Sequence, residues 1–122
     1  MRLNPDCIRD ILLFVEENTD FENTDVDASV LVESLIEYDE NTLFYHIIKM
    51  NSAKLFDKVE YCENELIYIS SLSWTGHAYL DNIRDNNIWA KTKSAVGKLS
   101  SISLPILIQK AADIATMSLS NS

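Results

Sequence analysis

Glycine and proline are scarce, two of each in 122 residues. With hydrophobic residues at 47% and charged residues at 24%, that scarcity excludes a disordered tail and describes a folded, helix-rich globule. The length suits one domain with a single core. Cysteine is equally rare. Cys7 and Cys62 lie far apart, form no CxxC pair and follow no secretory signal, so a reduced, cytoplasmic protein is expected. Long apolar runs are missing too. Ile11 to Val15 is too short and too amphipathic for a signal core, and Ile102 to Leu119 is interrupted by Pro105, Gln109, Lys110 and Asp113, which argues against a membrane span or a membrane partner.

The residues that carry catalysis are just as thinly spread. There are two histidines, His46 and His77, and with Cys62 they make an incomplete zinc set in which no pair has ligand spacing. Both histidines read as hydrogen-bonded structural residues. An EF-hand loop begun at Asp20 requires Gly at residue 25 and Glu at residue 31, where the chain has Asp25 and Leu31. No P-loop, dinucleotide fingerprint, GxSxG or HExxH occurs. The adjacent carboxylates Glu16 and Glu17, and Asp39 and Glu40, point to different parts of a helix surface and read as solvated charge. A protein that is not an enzyme, with no catalytic, cofactor-binding or metal-binding residue and no cofactor, is expected.

Positive charge is the scarcest commodity of all in the first half. The chain carries 10 Lys and Arg against 19 Asp and Glu, a net charge of −9. Residues 1 to 65 hold 16 acidic and 5 basic side chains, whereas residues 66 to 122 hold 3 acidic and 5 basic. The N-terminal half repels phosphate, and a partner attracted to it by charge is basic.

What is present reads in order as follows. Asn4 caps a helix with Pro5 at its first position, and Ile8, Ile11, Leu12 and Val15 form its buried face as far as Asn18. Residues 19 to 29 read as an acidic, solvated loop. A short helix over Ala28 to Tyr38, with Asp27 or Ser29 as cap, uses Val30, Leu31, Leu35 and Ile36. Asp39 caps a third helix whose stripe Leu43, Ile47, Met50 faces the core. Its opposite face shows Asn41, Tyr45, Ile48, Lys49 and Ser52.

The period then changes to two. Val59, Tyr61, Leu66 and Tyr68 are expected on the packed face of a hairpin turned at Glu63 and Asn64, with Lys58, Glu60, Glu65, Ile67 and Ile69 outside. Ser73 caps the next helix, in which Leu80 and Ile83 close the core with Trp74 nearby, and Gly76 marks a close backbone approach. A helix from Asn87 puts Ile88, Trp89, Val96 and Leu99 on its apolar side and Lys91, Lys93 and Lys98 outside. After a linker from Ser100, Ser103 caps a last helix with Pro105 in its first turn and a stripe of Leu104, Leu107, Ile108, Ala111, Ile114 and Ala115.

Three segments, NPDCIRDILLFVEEN, LFYHIIKMNSAKLF and LSWTGHAYLDNIRDNNIW, resemble a small family of bacterial and prophage-encoded proteins catalogued as a domain of unknown function. The likeness covers roughly residues 3 to 99. It implies a winged-helix-like fold and no established activity, substrate or functional residue. More loosely, LSWTGHAYL after a hairpin is similar to the segment that follows the wing in regulators of the PadR and MarR kind, a likeness of fold more than of function.

The expected fold is therefore α+β, mostly α. It is a winged helix-turn-helix with a two-stranded hairpin wing over residues 1–85, followed over 86–122 by extra C-terminal helices for dimerisation or packing. The expected function is a protein-interaction or regulatory module whose acidic surface engages a basic protein partner, with Asn41, Tyr45, Ile48, Lys49 and Ser52 as the face turned to a partner or to DNA. The alternative is a DNA-binding transcriptional regulator, disfavoured because Lys49 is the one cation among those five residues. A homodimer is expected through Leu104, Leu107, Ile108, Ala111, Ile114 and Ala115.

Overall fold

The computed structural model describes residues 1–63, 65–99 and 101–120. Asn64 of the expected hairpin turn, Ser100 of the expected linker and the last two residues of the expected extension lie outside those described. The fold is α+β and mostly helical, with six helices and a small antiparallel sheet among the described residues.

Helix α1 (Pro5–Asn18) begins where cap chemistry requires it. The Asn4 side chain accepts the N–H groups of Asp6 and Cys7 at 3.0 and 3.3 Å, and Pro5 holds the first position without needing a donor. Ile8, Ile11, Leu12 and Val15 are fully buried, each contributing about 1.5–3 kcal/mol relative to exposure.

The acidic stretch that follows is not loop throughout, which corrects one expectation. Asp25–Asp27 forms strand β1, paired antiparallel with β3 (Glu65–Ser70), with Val26 opposite Ile69. Strand β2 (Val59–Cys62) pairs with the other edge of β3, so the sheet has three strands in the order β1-β3-β2 rather than a hairpin's two. A three-residue strand with a single apolar residue has no legible period. β1 exists because β3 offers an edge and Val26 finds the core.

Helix α2 (Ala28–Ser34) stops four residues before the expected Tyr38. Leu35 leaves helical geometry, and Tyr38 turns inward so that its hydroxyl donates to Asp10 Oδ2 on α1 at 2.7 Å. Burial and that carboxylate push the Tyr38 phenol upward. Val30 and Ile36, expected on the apolar face, are 43% and 81% exposed.

Helix α3 (Glu40–Ser52) starts at Asp39, whose carboxylate accepts the Thr42 N–H at 2.7 Å, and it buries Leu43, Ile47 and Met50 as its stripe predicts. It ends in a Schellman turn. Lys54 sits in the left-handed region at φ 63°, its N–H donates to Asn51 O, and the Leu55 N–H donates to Met50 O. That turn aims the buried Leu55 and its carbonyl at the start of the next helix.

The hairpin's faces differ from strict alternation. The register shifts between Glu60 and Tyr61, so Glu60 pairs with Tyr68 while Tyr61 pairs with Leu66, and Ile67 is the extra residue of a bulge. Leu66 and Ile69, three residues apart, are therefore both buried. Ile69, expected outside, is in the core, and Tyr61, expected inside, is 43% exposed.

Helix α4 (Trp74–Ile83) is capped by Ser73, whose hydroxyl accepts the Gly76 N–H at 3.0 Å. Leu80 and Ile83 are buried as expected, but Trp74, expected beside the core, is 90% exposed. Helical side chains lean toward the N-terminus, and the first residue of a helix has no preceding turn to lean on. The core aromatic of α4 is instead Tyr79, 1% exposed, whose hydroxyl has no hydrogen-bond partner among the described residues. Burial pushes its phenol upward. Tyr79→Phe is expected to raise stability by about 1 kcal/mol, because an unsatisfied buried hydroxyl costs about 1–3 kcal/mol; a higher denaturant midpoint at unchanged slope is the readout.

Helices α5 (Asn86–Val96) and α6 (Leu104–Ser120) complete the chain. Polar contacts from α1 cross residue 85, where the sequence suggests a boundary. Arg9 Nη2 donates to Asn86 Oδ1 at 3.1 Å, and Asp6 Oδ1 accepts from Trp89 Nε1 at 3.0 Å and Lys93 Nζ at 3.1 Å. Arg84 grips Glu16 through two bonds of 2.6 Å and holds its carboxyl below the usual range. Trp89, Val96, Leu104, Leu107 and Ala111 join the same hydrophobic core as α1 and α3, while Leu99, expected on the apolar side, is 46% exposed. No helix among the described residues is long and apolar enough to cross a membrane.

Candidate functional site

The solvent face of α3 is where the five residues singled out in the sequence lie. At about 100° per residue, its outward residues fall in the order Glu40, Phe44, Ile48, Asn41, Ser52, Tyr45, Lys49 around the helix. Asn41, Ile48, Lys49 and Ser52 are exposed and Tyr45 is half-buried. All five therefore share one arc, and a concavity lies on each side of it.

On the Glu40 side is a groove of about 360 Å³ between α2, α3 and β3. Val32, Phe44 and Leu66 make its floor, and Glu33, Glu40 and Glu65 make its rim. These carboxylates come from three separate elements. No three His, Cys, Asp or Glu side chains among the described residues are placed to hold a metal ion. The groove's geometry instead suits a long cationic side chain, with an apolar stem on the floor and a charged end among carboxylates.

On the Lys49 side is a larger cavity of about 630 Å³, walled by residues 1–3, the end of α3, Gly97 and Leu99 after α5, and residues 101–105 leading into α6. Two residues of α3 hold the N-terminal wall. The Tyr45 hydroxyl donates to Met1 O at 3.0 Å, and His46 Nε2 accepts the Asn4 N–H at 2.8 Å. His46 is buried, and its Nδ1 lies 2.8 Å from Thr42 O, to which it donates as the tautomer set by the Asn4 bond. Both ring nitrogens are thereby committed within the chain. Lys49 Nζ lies 5.7 Å from the Tyr45 ring centroid.

Elsewhere, His77 is exposed with Nδ1 3.7 Å from Glu16. Cys7 is buried, and burial first, then Asp10, pushes its thiol up to about 12, which leaves no thiolate at neutral pH. Cys62 is exposed on β2. Of the six α6 residues proposed as a dimer stripe, Leu104, Leu107 and Ala111 are buried within the chain, and Ile108, Ile114 and Ala115 are half-buried.

Sequence reasoning passed over Glu33, Phe44 and Glu65 as parts of one site, and Arg2, Leu3 and Leu99 as parts of another. The acidity was visible, but convergence requires the fold. The one local signal was Glu40 and Phe44 at i and i+4, which share a helix edge.

Two comparisons bear on identity. The chain is 32% identical over 117 residues to an "Uncharacterized protein" of Haemophilus influenzae, a match covering 93% of this chain and 95% of that relative. No solved structure matches. Residues 2–103 match the family described as "Hypothetical protein (DUF2513)", and the chain belongs to that family.

Proposed function

We propose that this chain is a non-enzymatic, cytoplasmic winged-helix module that engages a basic protein segment along α3. The observation that carries this reading is the groove lined by the exposed Glu33, Glu40 and Glu65 together with the more buried Val32, Phe44 and Leu66. An arginine or lysine seated there places its stem on apolar surface and its charge beside carboxylates, while the neighbouring Ile48, 47% exposed, offers further apolar contact. A nucleic-acid-binding protein presents such a basic surface, so occupying it by acidic mimicry of phosphate is the regulatory consequence.

The second reading is a DNA-binding transcriptional regulator. Its support is the element order α1-β1-α2-α3-β2-β3 with a three-stranded sheet, the order of a winged helix, and the outward Asn41 and Lys49 on α3. Against it stand Glu40 and Glu33 at the helix edge and Glu60, Glu63 and Glu65 on the hairpin, since phosphate contacts require cations there.

Immobilised protein exposed to nuclease-treated extract of the native host tests the proposal. It is expected to retain a protein with a basic surface that elutes as salt rises. Retention confined to nucleic acid in an untreated extract, with no protein held after nuclease treatment, overturns it.

A further inference from the structure

We propose that the cavity beside Lys49 is a binding site for a small anionic amphiphile, a monocarboxylate with an apolar acyl or aryl body. Its volume of about 630 Å³ lies within the range of about 300–1,000 Å³ that small-ligand sites occupy. Leu3, Leu99, Ile102 and Pro105 supply apolar walls. Leu99 is left 46% exposed there, so an apolar body that covers it gains the hydrophobic term.

Charge selects the head group. In a chain with 19 acidic residues, none of the described residues lining this cavity is acidic, and two, Arg2 and Lys49, are cationic. Neither forms an ion pair among the described residues; those pairs engage Lys58, His77, Arg84 and Lys93. The first turn of α6, at Leu104 and Pro105, also faces the cavity, and the positive end of that 17-residue helix adds to the same field. A carboxylate is thus attracted from two side chains and one helix end, over an apolar floor that a fully hydrated anion does not need. This inference does not depend on the acidic groove, which lies on the other side of α3.

Octanoate, octanol and octylamine titrated into the methyl-labelled full chain test the proposal by NMR. Octanoate is expected to give saturable shifts at the Leu3, Leu99 and Ile102 methyls, and octylamine none. The double variant Arg2→Glu, Lys49→Glu is expected to weaken octanoate by about tenfold or more while leaving octanol binding unchanged. Octanol binding in the variant, with an unchanged spectrum elsewhere, also shows that the fold persists. Absence of saturable octanoate shifts overturns the proposal, as does equal binding of all three compounds or an unweakened double variant. Broadening of Leu99 and Ile102 with protein concentration alone places a second copy in the cavity and overturns it as well.

Discussion

Gly76→Ala is expected to lower stability by about 3 kcal/mol or more, although alanine is the better helix former by about 1 kcal/mol. The reason is a single contact. A Cβ built on Gly76 lies 2.1 Å from the backbone oxygen of Leu55 and 3.0 Å from its carbonyl carbon. That oxygen has no freedom to retreat, since it accepts the Ser73 N–H at 3.0 Å and belongs to the turn that ends α3. Relief requires moving the start of α4 away from α3, which disturbs the Ser73 cap and the core positions Tyr79, Leu80 and Ile83 behind it. The clash therefore outweighs the gain in helix propensity. A drop in Tm of about 10 °C or more is expected, and an unchanged Tm contradicts the packing described at this point.

The second large effect concerns the groove. With the retained partner in purified form, the triple variant Glu33→Gln, Glu40→Gln, Glu65→Gln is expected to bind about 100-fold more weakly, with most of any change in association rate vanishing at high salt. Glutamine keeps the shape and the apolar floor and removes only charge. Exposed rim pairs contribute little individually, about 0.2–1 kcal/mol, but three carboxylates around one desolvated cation act on the same charge, and closely placed pairs across interfaces reach about 1.5 kcal/mol and more. Titration calorimetry at two salt concentrations separates these terms. Unchanged affinity assigns the contact to another surface, of which the exposed Trp74 and Phe21 are the obvious anchors.

Those parts of the fold governed by local chemistry were legible in the sequence. Asn4, Asp39 and Ser73 cap their helices because a short polar side chain meets backbone N–H groups two or three residues on. Leu43, Ile47 and Met50 were readable from spacing alone. Gly76 was readable as a close approach, though the partner, Leu55, was not. Features fixed by distant segments escaped. β1 depends on the edge of β3, some forty residues later, and the burial of Ile69 depends on a bulge at Ile67 that no alternation announces.

The candidate site divides in the same way. The face from Ile48 to Lys49 belongs to one helix and followed from its period. The groove unites residues 33, 40 and 65, and the cavity unites residues 1–3, Tyr45, Lys49, Ser52 and Ala53 of the α3 end, Gly97, Leu99 and residues 101–105. Composition announced an acidic surface but had no means of placing its carboxylates around a common floor, or of showing that a cationic cavity lies on the other side of the same helix.

The most direct test of the central claim, that the α3 face serves a basic protein partner rather than DNA, is fluorescence anisotropy with a labelled mixed-sequence duplex at about 50 mM salt, where phosphate-driven binding is strong. The protein, with Asp39 and Glu40 at the start of α3 and Glu60, Glu63 and Glu65 on the hairpin, is predicted to leave the anisotropy flat up to about 50 μM, beyond the usual range of non-specific DNA affinity at low salt. Saturable binding in the low micromolar range that weakens steeply as salt is raised would contradict it.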